Sequence, residues 1–304
     1  MSVTVLLPVY NGARTLAQAL ESVLRQDMDD FELLVIDDAS TDTSAAVIER
    51  YAKRDARVTA VVHERNAGLA STLNEGLERA RHDLVARLDQ DDEALPTRLR
   101  KQRAFMASHP EVVVAGSFVR HMGATPSHDR TVELPRTPRE VARVLPRENC
   151  LYHPSVMLRR PEVLAVGGYR GEFKNAEDYE LWLRLARSHD LANVPEPLLR
   201  YRFSLAGMTL SRKWEQLFYV QLAQQINRVD GMSHDEAAER AHAAMAAIDR
   251  RWFMQEVARG TASELARLHL WDEAFRLVRA FGADIGLASA AAMSLSLLAA
   301  RVRA

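Results

Sequence analysis

The fold is decided by the segment Val3-Thr4-Val5-Leu6-Leu7-Pro8-Val9-Tyr10-Asn11-Gly12, in which apolar and β-branched residues lead directly into polar ones. Short apolar runs bounded by turn residues are typical of buried strands. Similar runs recur through the first half of the chain. They predict strands at Val3–Leu7, Glu32–Ile36, Val58–Val62, Leu84–Leu88 and Val112–Ala115.

The segments between these strands have the spacing of amphipathic helices. Strands that alternate with helices predict an α/β fold, a Rossmann-like and mostly parallel sheet flanked by helices. Beyond Gly207 the pattern is helical throughout, so we place a boundary near residue 205 between an α/β domain, 1–205, and a C-terminal helical region, 206–304. The remaining predicted elements are helices at Thr43–Lys53, Pro96–Ser108, Ala176–Arg187, Arg212–Val229 and His234–Asp249, and strands at Ser155–Leu158 and Leu198–Tyr201.

Composition narrows the class of protein. Forty basic residues against forty-one acidic ones give a net charge of −1, which excludes the basic surface of a nucleic-acid binder. Cys150 is the only cysteine, so no internal disulfide can form and a reducing compartment is favoured. The N-terminus is typical of a strand and lacks the features of a signal peptide, and we expect a cytoplasmic protein.

The apolar segment Ile285–Ala300 is shorter than the roughly 20 residues of a membrane span. We expect a helix packed on the protein, with peripheral contact at the inner face of the membrane as the alternative.

Polar clusters come directly after three of the predicted strands, namely Tyr10–Gly12, Asp37–Asp42 and Asp89–Asp92. Ligands of open parallel sheets bind outside the carboxyl ends of the strands, near the point where strand order reverses. Right-handed crossovers make the first and fourth strands neighbours at that point. The first and third clusters should therefore flank one crevice.

Asp89, Asp91 and Asp92 place like charges together, which is costly unless a cation or protons neutralise them. Oxygen ligands without Cys or His favour Mg²⁺ or Mn²⁺, and such ions complete their coordination with water and substrate phosphates. This cluster therefore predicts a substrate that carries a diphosphate. The alternative is a solvated acidic loop in which Asp92 or Glu93 caps the next helix.

Two other acidic positions are candidates for chemistry. Helix capping accounts for Asp42 but not for the pair Asp37 and Asp38, one of which could accept hydrogen bonds from a ribose or a base. Asp178 lies in the first turn of a predicted helix, where it stabilises the helix dipole or acts as a general base. The dipole should keep Asp178 ionised and weaken its basicity.

The chain contains neither Gly-x-Gly-x-x-Gly nor a P-loop motif, which disfavours dehydrogenases and P-loop NTPases.

Taken in order, the motifs of residues 3–204 resemble those of bacterial family 2 glycosyltransferases. The matching segments are Val5–Asn11, Glu32–Asp42, Asn66–Gly68 with Asn74, Leu88–Asp92 and Ala176–Trp182. The resemblance implies a GT-A fold and a metal-dependent, inverting transfer of a sugar to an acceptor hydroxyl. The donor would be a UDP-, GDP- or dTDP-sugar and the acceptor a glycan or lipid-linked sugar, in the synthesis of cell-surface polysaccharide or glycolipid.

The resemblance also implies roles for single residues. Pro8, Tyr10 and Asn11 would line the nucleotide pocket, with Tyr10 against the base and Asp38 hydrogen-bonded to it. Asp89 would lie near ribose and metal, Asp91 would ligate the metal, and Asp178 would be the catalytic base assisted by Glu177. The remaining implied positions are Asn66 and Gly68 at the donor, Asp92 beside the metal ligands, Arg202 near the donor phosphates and His153 on the acceptor side, where it could equally be a buried structural residue.

One departure from the family pattern is Phe203-Ser204, where related sequences often carry a histidine. Any contact that such a histidine makes with metal or phosphate is therefore not expected here.

Two other functions fit parts of the pattern. Asp89-Gln90-Asp91 resembles the start of an aspartyl-phosphate phosphohydrolase, but that motif belongs after the first strand and needs a later lysine. Lys174 is the only lysine between Lys101 and Lys213. A non-catalytic module that binds a nucleotide or a glycan is the second alternative, and it would need no catalytic base.

Overall fold

The structure is a computed structural model that describes residues 1–202, 210–229 and 231–303. These residues form strands and helices in the predicted alternation. The strands are β1 (Val3–Val9), β2 (Phe31–Asp37), β3 (Val58–Val62), β4 (Leu84–Arg87), β5 (Glu93–Ala94), β6 (Val112–His121), β7 (Arg130–Val132), β8 (Met157–Arg159) and β9 (Asp190–Tyr201).

The helices of the first part of the chain lie between these strands, and those after Arg202 follow one another directly. Their bounds are α1 (Leu16–Leu24), α2 (Ser44–Arg54), α3 (Leu69–Arg79), α4 (Arg98–Ser108), α5 (Pro138–Val144), α6 (Arg160–Ala165), α7 (Glu177–Leu185), α8 (Leu210–Arg228), α9 (His234–Ala246), α10 (Arg250–Arg267), α11 (Trp271–Ala280), α12 (Gly282–Ile285) and α13 (Leu287–Arg303).

The sheet has the strand order β3-β2-β1-β4-β8-β6-β9-β5, with β7 paired to β6. Strands β3, β2, β1 and β4 run parallel to one another, whereas β8 pairs antiparallel with β4 and β6. Strand order reverses beside β1, since β2 lies on one side and β4 on the other. The predicted adjacency of the first and fourth strands is confirmed.

Every residue of β1 and β2 is buried, as expected for central strands covered on both faces. The apolar side chains of these strands pack against α1 and α2, including Leu16, Leu20 and Ile48. This packing fixes the points at which the chain leaves the sheet. The polar segments after β1, β2 and β4 are therefore held by a rigid core.

Several elements differ from the sequence prediction in their bounds, and β6 for example extends to His121 beyond the predicted end at Ala115. Strand β9 begins at Asp190, before the predicted start at Leu198, and contains Pro195 and Pro197, which are unusual inside a strand. Pro96 was predicted in the first turn of a helix. Helix α4 instead begins at Arg98 after the N-cap residue Thr97, so this prediction is wrong.

The chain forms two compact units. Unit 1 comprises residues 1–120, 131–173 and 177–201, and unit 2 comprises residues 121–130, 174–176 and 202–304. The predicted boundary near residue 205 falls outside the described residues. Among the helices of the described ranges, none combines the length and the apolar character that a membrane span requires.

Candidate active site

The carboxyl ends of β1, β2 and β4 share one edge of the sheet. Val9 lies opposite Asp37 in the β1–β2 pair, and Leu6 lies opposite Arg87 in the β1–β4 pair. Because the strands are parallel, the polar segments that follow them emerge on the same side. The predicted crevice is thus built by residues after Val9, Asp37 and Arg87.

The acidic segment after β4 forms a compact cluster. Ligand atoms of Asp89, Asp91 and Asp92 all lie within 4.8 Å of one another. Asp92 is only 1% exposed, and Glu93 lies in β5, where it pairs with Arg200 at 2.6 Å. The N-cap of α4 is Thr97 and no side chain caps this helix, so the predicted capping by Asp92 or Glu93 is wrong. Three carboxylates this close form a donor set that fits a hard divalent cation.

A buried arginine lies at the base of this cluster. Arg87, the last residue of β4, is 2% exposed and forms an ion pair with Oδ2 of Asp89. Burial alone would lower the pKa of Arg87, but the neighbouring carboxylates outweigh it and the pKa is raised. The guanidinium group therefore stays charged and offsets part of the negative charge of the cluster. The sequence offered one signal for Arg87, a cation at the end of an apolar strand, and sequence reasoning missed it.

A second buried arginine supports the first. Arg98 on α4 is 1% exposed and donates hydrogen bonds to the carbonyl oxygens of Arg87 (2.7 Å) and Val156 (3.2 Å). Its Nε donates to Gln102 at 2.9 Å. Burial lowers the pKa of Arg98 to about 9. Arg98 thus holds the backbone from which the acidic cluster starts.

The residues after β1 and β2 form the second wall of the crevice. Tyr10 is 49% exposed, in keeping with a ring available for stacking. Asn11 has a φ of 52°, and its Oδ1 accepts hydrogen bonds from the N–H groups of Thr41 (2.8 Å) and Asp42 (3.3 Å). Pro8 is buried inside β1 opposite Ile36. The contacts of Pro8, Tyr10 and Asn11 with a nucleotide stay predictions.

Asp38 organises the loop that contains Asn66 and Gly68. Its carboxylate, 4% exposed, accepts hydrogen bonds from the N–H groups of Ala67 (2.7 Å) and Gly68 (2.9 Å) and contacts Nδ1 of His63 at 2.8 Å. The Asn66 amide donates to the Asp38 carbonyl oxygen at 3.1 Å. The predicted hydrogen bond from Asp38 to a base is untested, and in this structure its two oxygens serve donors of the chain itself.

His63 links Asp38 to a third residue. The Nε2 atom of His63 lies 2.8 Å from Oε2 of Glu75 on α3. The hydrogen bond to Asp38, followed by that to Glu75, raises the pKa of His63. Burial acts to raise the pKa of Asp38, but the N–H groups and His63 outweigh it and the pKa is lowered. The pair is therefore built to hold opposite charges.

Asp178 lies in the first turn of α7, next to Glu177. Asn149 donates to Asp178 Oδ2 at 3.0 Å, and the Tyr179 N–H donates to Oδ1 at 2.7 Å. Burial among protein atoms raises the pKa of Asp178 despite these donors and the charge of Arg87. The expected weakening of its basicity by the helix terminus is wrong, because desolvation is the larger effect. Asn149 was not among the predicted residues, and no local motif marks it.

His153 belongs to the core of unit 1. It is 9% exposed, its Nε2 lies 2.9 Å from the Tyr169 hydroxyl, and its ring packs edge-on against Trp182. Burial, then the charge of Arg87, lowers the pKa of His153 well below its ordinary value. A neutral, enclosed imidazole favours the structural interpretation.

Cys150 is also buried, and burial raises the pKa of its thiol to about 12. A thiol in this state is a poor nucleophile.

Arg202 lies in unit 2, and its predicted place near donor phosphates stays a prediction. The departure at Phe203-Ser204 falls outside the described residues.

The chain matches the family model described as glycosyl transferase family 2 over residues 4–167. It is 35% identical over 230 residues to the amylovoran biosynthesis glycosyltransferase AmsE of Erwinia amylovora, covering 72% of this chain and 85% of that protein. It is 29% identical over 205 residues to an Escherichia coli UDP-Gal:alpha-D-GlcNAc-diphosphoundecaprenol beta-1,3-galactosyltransferase, covering 66% of this chain and 74% of that protein.

Solved structures share the fold. TarS 1–349 of S. aureus in complex with UDP-GlcNAc aligns with a TM-score of 0.61 at 18% identity, covering 98% of this chain and 89% of that one. The mannosyltransferase PcManGT of Pyrobaculum calidifontis, in complex with GDP-Man and Mn²⁺, aligns with a TM-score of 0.59 at 19% identity, covering 99% and 86%. The fold of the chain is thus that of the GT-A glycosyltransferases.

Proposed function

The chain belongs to glycosyl transferase family 2, and on this premise we propose that it transfers a sugar, with inversion, from a nucleoside diphosphate sugar to an acceptor hydroxyl. The observation that carries the proposal is the convergence of Asp89, Asp91 and Asp92 within 4.8 Å at the carboxyl edge of the sheet. Oxygen ligands at that edge suit a cation together with a diphosphate.

We assign Asp91 and Asp89 as the ligands of Mn²⁺ or Mg²⁺, with Asp92 beside them. The ion pair with Arg87 uses Oδ2 of Asp89, and we assign its Oδ1 to the cation. When bound, the cation would offset the charge that develops on the leaving diphosphate. The neighbouring structure that contains GDP-Man and Mn²⁺ supports a metal in this fold.

We place the nucleoside against the segment after β1. Tyr10 stacks on the base, Pro8 and Asn11 line the pocket, and Asp38 with Asn66 and Gly68 closes its side. The resemblance to the family is the support for assigning Arg202 to the donor phosphates. The exposure of the Tyr10 side chain and the rigid Asn11–Thr41 contact support this arrangement. The proposed donor is a UDP-, GDP- or dTDP-sugar.

The acceptor is activated by Asp178. The acceptor oxygen attacks the anomeric carbon and forms the new glycosidic bond while the bond from that carbon to the phosphate oxygen breaks. The acceptor proton passes to Asp178, and the diphosphate keeps the electron pair of the broken bond. Burial raises the pKa of Asp178, which strengthens it as a base, and Asn149 holds its carboxylate in place, with Glu177 beside it.

We propose that the acceptor is a glycan or a lipid-linked sugar of a cell-surface polysaccharide or glycolipid. The names of the Erwinia and Escherichia relatives support this class of product. Peripheral contact of the C-terminal segment with the inner face of the membrane and a cytoplasmic location belong to the same proposal.

The test is a thermal-melting panel of UDP-, GDP- and dTDP-sugars, each with Mn²⁺ or with EDTA, followed by an assay for release of the nucleoside diphosphate. A ligand that binds only the folded state raises the melting temperature. We expect one donor to stabilise the protein in Mn²⁺, and Asp91→Asn to abolish that shift. Asp272→Asn, an exposed carboxylate on α11, is the matched control. Failure of every donor to stabilise the protein overturns the proposed function.

A further inference from the structure

Gln90 lies between the two assigned metal ligands, and nothing in the proposed chemistry uses its side chain. Its amide forms two hydrogen bonds with the backbone of Tyr10, eighty positions earlier in the chain. The Tyr10 N–H donates to Oε1 at 2.9 Å, and Nε2 donates to the Tyr10 carbonyl oxygen at 3.0 Å. The amide therefore pairs with Tyr10 as a neighbouring strand would.

The place of these bonds gives them significance. The β1–β4 register ends at Leu6 and Arg87, and one further backbone bond joins the Leu88 N–H to the Leu6 carbonyl oxygen at 3.1 Å. Past this point β1 continues to Val9 while β4 has ended. The Gln90 side chain joins the chain leaving β1 to the chain leaving β4 through its two hydrogen bonds with Tyr10.

Gly12 shows how closely this link is packed. A Cβ atom placed on Gly12 would lie 2.3 Å from Oε1 and 2.5 Å from Cδ of Gln90. On its other side the Gly12 N–H donates to the Ser44 hydroxyl at 2.9 Å, so the glycine cannot simply move away. The amide of Gln90 is thus held by two hydrogen bonds and by the backbone of a residue that has no side chain.

We propose that Gln90 is a positioning residue that sets the distance between the nucleoside pocket at Tyr10 and the carboxylates of Asp89 and Asp91. A nucleoside diphosphate is one molecule that must reach both places, so its affinity depends on their separation. This inference rests on the proposed function. It further implies that nucleoside and cation bind independently of Gln90 when each is offered alone.

The test uses the full chain and two substitutions, Gln90→Met and Gln90→Glu. Methionine keeps the approximate length and removes both hydrogen bonds, whereas glutamate keeps the acceptor for the Tyr10 N–H and removes the donor. Gln216→Met is the matched control, because Gln216 in unit 2 donates to the Asn175 carbonyl oxygen at 2.6 Å. Gly12→Ala provides a third route, since it displaces the amide while Gln90 itself is intact.

The probes are Mn²⁺ alone, the nucleosides alone, and UDP, GDP and dTDP in the presence of Mn²⁺, measured by calorimetry. We expect the nucleoside diphosphate that binds the unaltered chain to lose about tenfold in affinity in each Gln90 variant and in Gly12→Ala, as the loss of one or two hydrogen bonds implies. In Gln90→Met and Gly12→Ala, which leave the charge of the cluster unchanged, binding of Mn²⁺ alone and of the nucleoside alone should change less than about threefold. A general structural defect would not produce this combination of results.

Two other results are informative in different ways. If the diphosphate binds all variants as tightly as the unaltered chain, the positioning role of Gln90 is overturned and the proposed function stands. If no nucleoside diphosphate binds the unaltered chain in Mn²⁺, the proposed function fails, and this inference fails with it. Should Gln90→Met not fold, Gln90→Glu and Gly12→Ala carry the same comparison.

Discussion

Unit 1 and unit 2 use charge in opposite ways. In unit 1, Arg87, Arg98, Asp92 and Asp38 are each less than 5% exposed. In unit 2 the ion pairs of Arg259 and Arg276 lie on exposed helix faces, and the core is built from small and apolar residues such as Ala258, Leu265 and Leu277. Buried charges are retained only where surrounding groups compensate them, so the buried arginines and carboxylates of unit 1 cost stability at its proposed site. Among the described residues of unit 2 the buried ionisable group is His121, which pairs with Glu264 at 3.1 Å.

The cavities of the units follow the same division. Unit 2 contains an open groove of about 680 Å³ between α10 and α13, lined by Ala and Ser residues, by Met293, Leu297 and Trp271, and by Arg259, Arg267 and His269. In unit 1 the carboxylates of Asp89, Asp91 and Asp92 lie together at the carboxyl edge of the sheet. The comparison teaches that the residues after the strands of unit 1 support a proposed reaction, whereas the groove in unit 2 supports none that we can name.

The largest effect should come from removing a buried charge of unit 1. Arg87→Met removes the buried cation that pairs with Asp89, and we expect a loss of about 3–5 kcal/mol in the free energy of unfolding. Arg276→Met, which removes an exposed pair with Glu273 on α11, should cost less than about 1 kcal/mol. Urea denaturation of both variants measures the difference, and equal losses would contradict the contrast between the units.

Removing the proposed base should affect turnover and leave the fold intact. We expect Asp178→Asn to lower kcat by about a hundredfold or more, since a positioned general base contributes at least that factor. The melting shift produced by donor and Mn²⁺ should persist, because Asp178 is assigned to the acceptor side. Steady-state kinetics beside thermal melting checks both parts, and an unchanged kcat would remove Asp178 from the mechanism.

The third effect concerns the outer face of α13. Leu295 is 67% exposed, Leu298 50% and Val302 87%, whereas Met293 and Leu297 on the same helix are buried. Substituting both exposed leucines by serine should reduce co-sedimentation with anionic vesicles by at least about tenfold, since each leucine withdrawn from the interface loses part of the about 1.5–3 kcal/mol that its full burial contributes. The free energy of unfolding should change by less than about 0.5 kcal/mol. Vesicle binding that is absent in the unaltered chain would leave α13 a packed helix only.

The smallest effect is the pH dependence of the Asp38–His63–Glu75 contact. Because the folded-state pKa of His63 is raised above 6.5, its stabilising contribution is fully present below pH 6.5 and is lost as the pH rises through the folded-state pKa. Stability measured by urea denaturation should therefore fall over that interval. His63→Gln should flatten this part of the profile, and an unchanged profile would show that another group titrates.

Sequence reasoning succeeded where the signal is local and failed where it depends on a distant partner. The apolar runs and the polar residues after them located β1, β2 and β4, and the handedness of crossovers placed β1 beside β4. The hydrogen-bond partners of Gln90 and Asn149 lie 80 and 29 positions away in the chain, so no local sequence pattern predicts these contacts. The direction of the pKa shift of Asp178 was wrong for a related reason, since burial is set by segments that meet only in the folded protein.

The single enclosed sulfhydryl at Cys150 has a practical consequence. With a pKa of about 12 and a buried side chain, Cys150 will not compete for maleimide or iodoacetamide reagents at neutral pH. A cysteine introduced at an exposed position of α13, such as Leu298, would therefore be the sole attachment point for a fluorophore. Interfacial insertion of this helix could then be read from emission wavelength, without first stripping the native thiol from the protein.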